Sequence, residues 1–290
     1  MISNSQTTMP ETGNNHLYMT ETLDFNKSEQ YTLSIRLSTD GFSFSIYNPI
    51  NGNDFYYRAY PVNTQRSMAA NVKAFLAATE ELKYAFKQIN ILIHSPRYTI
   101  VPLEFFEDDS MENIFYHNVR EKKNEIILCN ILSNSSSVVI FSLDKLTHVF
   151  LSEHFPDARF FSSISPQIEY LTIKSQLGNS KKLYTNIHHN SIDVVALDKG
   201  RLMLVNTYSS TSTNDINYFI LNIWQQTGFD QERDELYLTG LSDIKKIIIP
   251  ELKKYISHIY SINPQAEFNN SSISEIENIP FDVQSLILCE

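Results

Sequence analysis

One pattern, used twice, constrains the fold of this chain more than any other feature. Thr32-Leu33-Ser34-Ile35-Arg36-Leu37 and Phe42-Ser43-Phe44-Ser45-Ile46-Tyr47 alternate apolar and polar side chains, the period of a half-buried strand. Asp40-Gly41 between them predicts a type I′ hairpin, whose two central residues need positive φ. Asn51-Gly52-Asn53 predicts a second turn and Phe55 to Tyr60 a third strand. After Ser67, the spacing of Met68, Val72, Phe75, Leu76, Leu82 and Phe86 predicts a helix. Ile91-Leu92-Ile93, followed by His94 and then Ser95-Pro96, reads as a short buried strand. The order returns from Leu183, with strands at Leu183 to His188, Ile192 to Leu197 and Leu202 to Val205. Asn190-Ser191 and Asp198-Lys199-Gly200 are the turns between them. Ile216, Phe219, Ile220, Ile223 and Trp224 then mark one face of a helix, which Asn214 or a polar neighbour caps and Gly228 closes. Glu235 to Thr239 is the second buried strand. Ser242-Asp243 is expected to cap a further helix, kinked or restarted at Pro250. Three meander strands, a helix and a buried strand therefore occur twice, which predicts an α/β chain in two similar halves.

Between the two units the pattern is weaker. Tyr98 to Val101 leads to Pro102 and a helical stretch through Phe106. Glu125 to Leu132 and Val138 to Ser142 read as strands joined at Asn134 to Ser137, and Asp144 to Leu151 and Pro166 to Leu177 as helices. The expected organisation is a polar tail over 1–30, a first half over 31–180 and a second over 181–290.

Composition removes several classes of function. With 290 residues, 42% hydrophobic and 19% charged, the chain is globular rather than disordered. A net charge of −10 argues against a general nucleic-acid or anionic-membrane surface. Lys181-Lys182 and Lys245-Lys246 are most simply solvated ends of elements. The first 27 residues lack a basic start followed by an apolar run, and no stretch approaches about 18 apolar residues. A cytoplasmic protein is expected, without membrane insertion. Two cysteines, Cys129 and Cys289, exclude a disulfide framework, and Cys129 within Ile126 to Ile131 reads as a buried thiol.

A repeated β-β-β-α-β-α unit resembles the plan of the actin-like ATPase fold, two ribonuclease H-like subdomains facing across a cleft. The resemblance is clearest in Ile192-Asp193-Val194-Val195-Ala196-Leu197 through Asn206-Thr207-Tyr208, and in Leu236-Tyr237-Leu238-Thr239-Gly240. The chain also resembles an uncharacterised protein family of the Bacteroidetes with this fold, whose members end in a pattern like Ile279-Pro280 and Leu286-Ile287-Leu288-Cys289-Glu290. The resemblance implies two phosphate-holding hairpins, each with an acid near the end of a first strand and then small residues. Backbone N–H groups close on phosphate there, and a Cβ would hold the backbone away. The first hairpin maps onto Arg36-Leu37-Ser38-Thr39-Asp40-Gly41, with Arg36 about where the metal-organising acid is expected and Asp40 displaced into the turn. The second maps onto Asn186-Ile187-His188-His189-Asn190-Ser191, and the nucleoside turn onto Thr239-Gly240-Leu241. Of the seven glycines in the chain, only Gly240 coincides with a nucleotide motif.

No catalytic residue and no metal ligand is assigned at this stage. His188 and His189 are successive strand residues that point to opposite faces, so the two do not chelate one ion. Asp193 and Asp198 are wrongly separated for an acid/base dyad. The expectation is a non-catalytic actin-like scaffold or partner-binding module with a protein partner and no cofactor. The alternatives are an ATPase or phosphotransferase using ATP and magnesium at an atypical site, tested at Asp40, Asp193, Thr239 and Gly240, and a cleft that binds another small anion. Arg36, Ser38, Thr39, Asp40, His188, His189, Asn190, Thr239 and Gly240 are the candidate binding residues.

Overall fold

The computed structural model describes residues 17–19, 23–50, 55–262 and 279–289. The first sheet contains β1 (Leu17–Met19), β2 (Thr32–Ser38), β3 (Gly41–Tyr47), β4 (Phe55–Tyr60), β5 (Gln88–Ile93) and β9 (Arg159–Ser162), in the order β1-β4-β3-β2-β5-β9. The second contains β10 (Lys181–Ile187), β11 (Ser191–Asp198), β12 (Arg201–Ser209), β13 (Glu235–Gly240) and β14 (His258–Ser261), in the order β12-β11-β10-β13-β14. Apart from the edge strand β1, the two orders correspond strand for strand. In each, three antiparallel strands form a meander, and its first strand pairs in parallel with the strand after the helix. The duplication read from periodicity is present in the fold.

Each repeat has its own core, and the alternation explains why. Leu33, Ile35 and Leu37 of β2 and Phe42, Phe44 and Ile46 of β3 point to one face, where they meet Val72, Phe75 and Leu76 of α1 (Met68–Ala78). Leu183 and Ile187 of β10 and Ile192, Val194 and Ala196 of β11 meet Ile216, Ile220, Ile223 and Trp224 of α5 (Thr213–Gln226) in the same way. Burial of each such side chain contributes about 1.5–3 kcal/mol. Ser212 and Asp215 form a reciprocal capping box at the start of α5, the polar neighbour of Asn214 supplying the cap.

Between β5 and β9 the chain makes a smaller antiparallel sheet, β6-β8-β7, from β6 (Tyr98–Pro102), β7 (Glu125–Leu132) and β8 (Ser137–Asp144). Helices α2 (Met111–Asn118), α3 (Lys145–His154) and α4 (Ile164–Ser175) accompany it. Helix α6 (Ser242–Leu252) follows β13, and α7 (Phe281–Cys289) is the last element. Ile279, Val283 and Ile287 pack on Phe55 and Tyr57 of β4, whereas Phe281 stacks edge-on against Tyr170 of α4. Thus α7, which follows the second repeat in sequence, lies against the first sheet and α4.

Several local expectations need correction. The turn between β2 and β3 is Thr39-Asp40, one residue earlier than expected, and neither residue has positive φ. It is not type I′, and Ser38 Oγ accepts the Asp40 N–H at 3.1 Å instead. Helix α1 stops at Ala78 rather than continuing to Phe86, because Thr79 Oγ1 turns back to Phe75 O at 2.8 Å and a 3-10 turn takes over Glu80–Lys83. The stretch through Phe106 is only a 3-10 turn at Leu103–Phe105. Helix α6 runs through Pro250, and Ser242 and Asp243 lie inside it without a side-chain cap. Lys182 is buried, with Nζ donating to Ser175 O at 3.3 Å and to Leu177 O at the end of α4. Lys182 is therefore a helix-end anchor rather than a solvated lysine. The turn at Asn51-Gly52-Asn53 lies outside the described residues.

Candidate functional site

The faces of the two sheets opposite their cores are also buried, and there the polar residues of the alternation meet. Ser34, Arg36 and Ser38 lie on that face of β2 and Asp193 on that of β11, all buried. Val195 and Leu197, on the same face as Asp193, pack with α4 residues Ile164, Ile168 and Leu171. Asp193 therefore points inward, between the halves.

Arg36 is held by α7. Its Nε donates to Asp282 Oδ2 at 2.6 Å, and Asp282 is fully buried. Burial pulls the guanidinium down, but the charge and hydrogen bond of Asp282 more than offset it and leave Arg36 above its ordinary pKa. A buried arginine is stable only with such a partner.

Asp193 has a separate set of partners. Oδ2 lies 2.8 Å from His188 Nε2 and accepts from Gln167 Nε2 at 3.2 Å, while Oδ1 accepts from Thr207 Oγ1 at 2.7 Å. Thr207 directs its hydroxyl proton to Asp193, so Tyr98, 3.1 Å away, is the donor to Thr207. Burial raises the pKa of Asp193, but the charge of His188 and the hydrogen bonds of His188 and Thr207 prevail, holding it well below the carboxylate range. His188 Nε2 therefore carries the proton toward Asp193, and Asn186 Nδ2 donates to Gln167 Oε1 at 3.2 Å.

His94, just beyond β5, completes the group from the other half. Its ring centroid is 4.2 Å from that of His188, and Nδ1 is 4.0 Å from Asp193 Oδ2. Nδ1 is also 3.0 Å from Ser163 Oγ, and Nε2 is 3.4 Å from Ser191 Oγ. Burial pushes this imidazole down to about 4, so His94 is neutral at neutral pH.

The residues expected from sequence divide into two sets. Arg36, Ser38, His188 and Thr239 are buried or nearly so at the facing ends of the strands. Thr39, Asp40, His189 and Asn190 are exposed at the hairpin tips, where Asn190 Nδ2 donates to Asp40 Oδ1 at 2.9 Å. Gly240 has φ +85°, and a Cβ there would stand 2.1 Å from Ile187 O. Asn186, at the acid position of the second hairpin, is the direct cross-strand partner of Asp193, so the carboxylate is carried one strand over. His94, Gln167, Thr207 and Asp282 were missed. His94 is marked in the sequence only as a polar residue ending an apolar strand.

The family model described as "Protein of unknown function (DUF3822)" matches residues 20–259. The chain belongs to this family. A Bacteroides thetaiotaomicron protein with an actin-like ATPase fold and unknown function, seen in a crystal structure at 1.85 Å resolution, is 46% identical. The match covers 93% of this chain and all of that one, at a TM-score of 0.82. The expected membership and the actin-like fold are both borne out. The PilM–PilN type IV pilus biogenesis complex contains a chain of the same fold, 12% identical, with a TM-score of 0.55 over 89% of this chain and 98% of that one. A search of the curated proteins finds no match. No helix among the described residues is long and apolar enough to cross a membrane.

Proposed function

We propose that this DUF3822 chain is a non-catalytic actin-like protein, a scaffold or partner-binding module whose cleft is held shut by its own side chains. The observation that carries this reading is the contact of the two hairpin tips through Asn190 and Asp40 at 2.9 Å. Hairpins that close on phosphate in active relatives close here on each other.

Three further features weigh against a magnesium nucleotide. Arg36, a cation, stands where a metal-organising acid is expected and is already paired with Asp282. The second hairpin carries His188, His189 and Asn190 in place of small residues, so side chains occupy the approach to its backbone. Gly240 is pressed against the backbone of Ile187 rather than open to a ligand. Another small anion is disfavoured by the buried Asp193 carboxylate and by the prior commitment of Arg36. A chain of the same fold occurs in the PilM–PilN complex, and a protein is the class of partner we assign to this chain.

Phosphate release from ATP by the purified full-length protein tests the reading. Release at the rate of the buffer blank is expected. Magnesium-dependent turnover that Asp193→Asn abolishes would contradict it.

A further inference from the structure

The buried group between the halves has the composition of a metal site. His94, His188 and Asp193 each offer one ligand atom within 4.8 Å of the others. Two imidazoles and a carboxylate are ligands for first-row transition metals rather than for magnesium or calcium, which take oxygen. Zinc–nitrogen and zinc–oxygen bonds of about 2.0–2.1 Å place tetrahedral ligand atoms about 3.3 Å apart. His188 Nε2 and Asp193 Oδ2 stand at 2.8 Å, and His94 Nδ1 and Asp193 Oδ2 at 4.0 Å, so shifts of about 0.5 and 0.7 Å bring these two pairs to that spacing.

Arg36 is engaged by Asp282 through a 2.6 Å hydrogen bond, so the Asp193 carboxylate is left to the imidazoles and neutral donors around it. The surroundings also orient the ligands, as outer groups do at metal centres. Thr207, itself bonded to Tyr98, fixes Asp193 Oδ1, and Ser191 stands at His94 Nε2 when Nδ1 faces inward.

We propose that His94, His188 and Asp193 bind one divalent transition-metal ion, zinc or a metal of similar ligand preference, which clips the two halves together. The metal takes the place of the proton between His188 Nε2 and Asp193 Oδ2 and releases that proton on binding. His94 comes from the end of β5, and His188 and Asp193 from the β10–β11 hairpin, so ligation ties the first repeat to the second. The exposed His189 takes no part.

Full-length protein stripped with chelator and dialysed is titrated with Zn²⁺ against a chromophoric competitor, and separately with Co²⁺ while its visible absorption is recorded. The expected result is one zinc per chain, visible cobalt bands of a nitrogen- and oxygen-ligated ion, and a higher melting temperature with zinc. His94→Gln and His188→Gln should each weaken zinc binding by at least about 100-fold, while His189→Gln leaves it unchanged. Circular dichroism shows whether each variant folds. If either glutamine variant does not fold, the wild-type stoichiometry and cobalt spectrum decide. Failure of the wild-type protein to take up zinc or cobalt overturns the proposal. Uptake that survives both substitutions in folded variants, or that depends on His189, overturns it as well.

Discussion

Arg36 and Asp282, separated by 246 positions in the chain, meet through a 2.6 Å hydrogen bond from Nε to Oδ2 in a site almost closed to water. The bond joins the centre of the first sheet to the last helix. Removing one partner leaves the other as an uncompensated buried charge, which costs about 3–5 kcal/mol. Arg36→Ala and Asp282→Ala should each lower the unfolding free energy by that amount in urea melts. The double replacement Arg36→Met with Asp282→Leu should lose much less than the two single changes together.

The packing of α7 on α4 gives a second expectation. Phe281 is 3% exposed and lies edge-on to Tyr170 with ring centroids 6.0 Å apart. Phe281→Ala removes this buried ring and should cost about 3–5 kcal/mol, read from the shift in urea midpoint at constant slope.

Gly240 tests how tightly the turn after β13 is packed. At φ +85°, with Ile187 O 2.1 Å and Ile187 N 2.7 Å from an added Cβ, neither the backbone angle nor the space admits alanine. Left-handed strain and overpacking together predict a loss of about 2–5 kcal/mol for Gly240→Ala. Gly228, with nothing within 4 Å of an added Cβ, has only the positive φ of +65° against it. Gly228→Ala should therefore cost less, about 1–2 kcal/mol.

Glu81 makes stability depend on pH. Its Oε1 accepts from Tyr56 OH at 2.6 Å and from Arg58 Nη1 at 2.9 Å. Burial raises its pKa, but the Tyr56 bond and Arg58 prevail and leave it below the ordinary carboxylate value. A depressed carboxylate contributes stability above its unfolded pKa, near 4.3, and loses it as pH falls through the folded value. Glu81→Gln should therefore cost about 1 kcal/mol at pH 7, and the gap to wild type should narrow below about pH 4. Melts at pH 7, 5, 4 and 3 measure it.

The parts of the fold visible in the sequence were those with local periodicity. Leu33, Ile35 and Leu37, and again Ile192, Val194 and Ala196, announce one apolar face each, and those faces are the cores. Alternation does not reveal what covers the other face. Ser34, Arg36 and Asp193 read from periodicity only as the polar positions of half-buried strands, yet α7 and α4 bury that face and turn it into a polar interior. Strand β9 was missed because four residues, Arg159 to Ser162, are too few to show a period. The halves of the candidate site were legible to different degrees. The hairpin positions Arg36 and His188 followed from the resemblance. The approach of His94 to His188 did not, because no local pattern encodes the meeting of two strand ends from different repeats.

Isothermal titration of the purified full-length protein with ATP, with and without magnesium, tests most directly whether the cleft binds a nucleotide. With the hairpins joined through Asn190 and Asp40 and Arg36 held by Asp282, the expected result is no saturable heat up to about 1 mM ligand, a binding free energy weaker than about −4 kcal/mol. A magnesium-dependent one-site isotherm in the micromolar range would contradict the account.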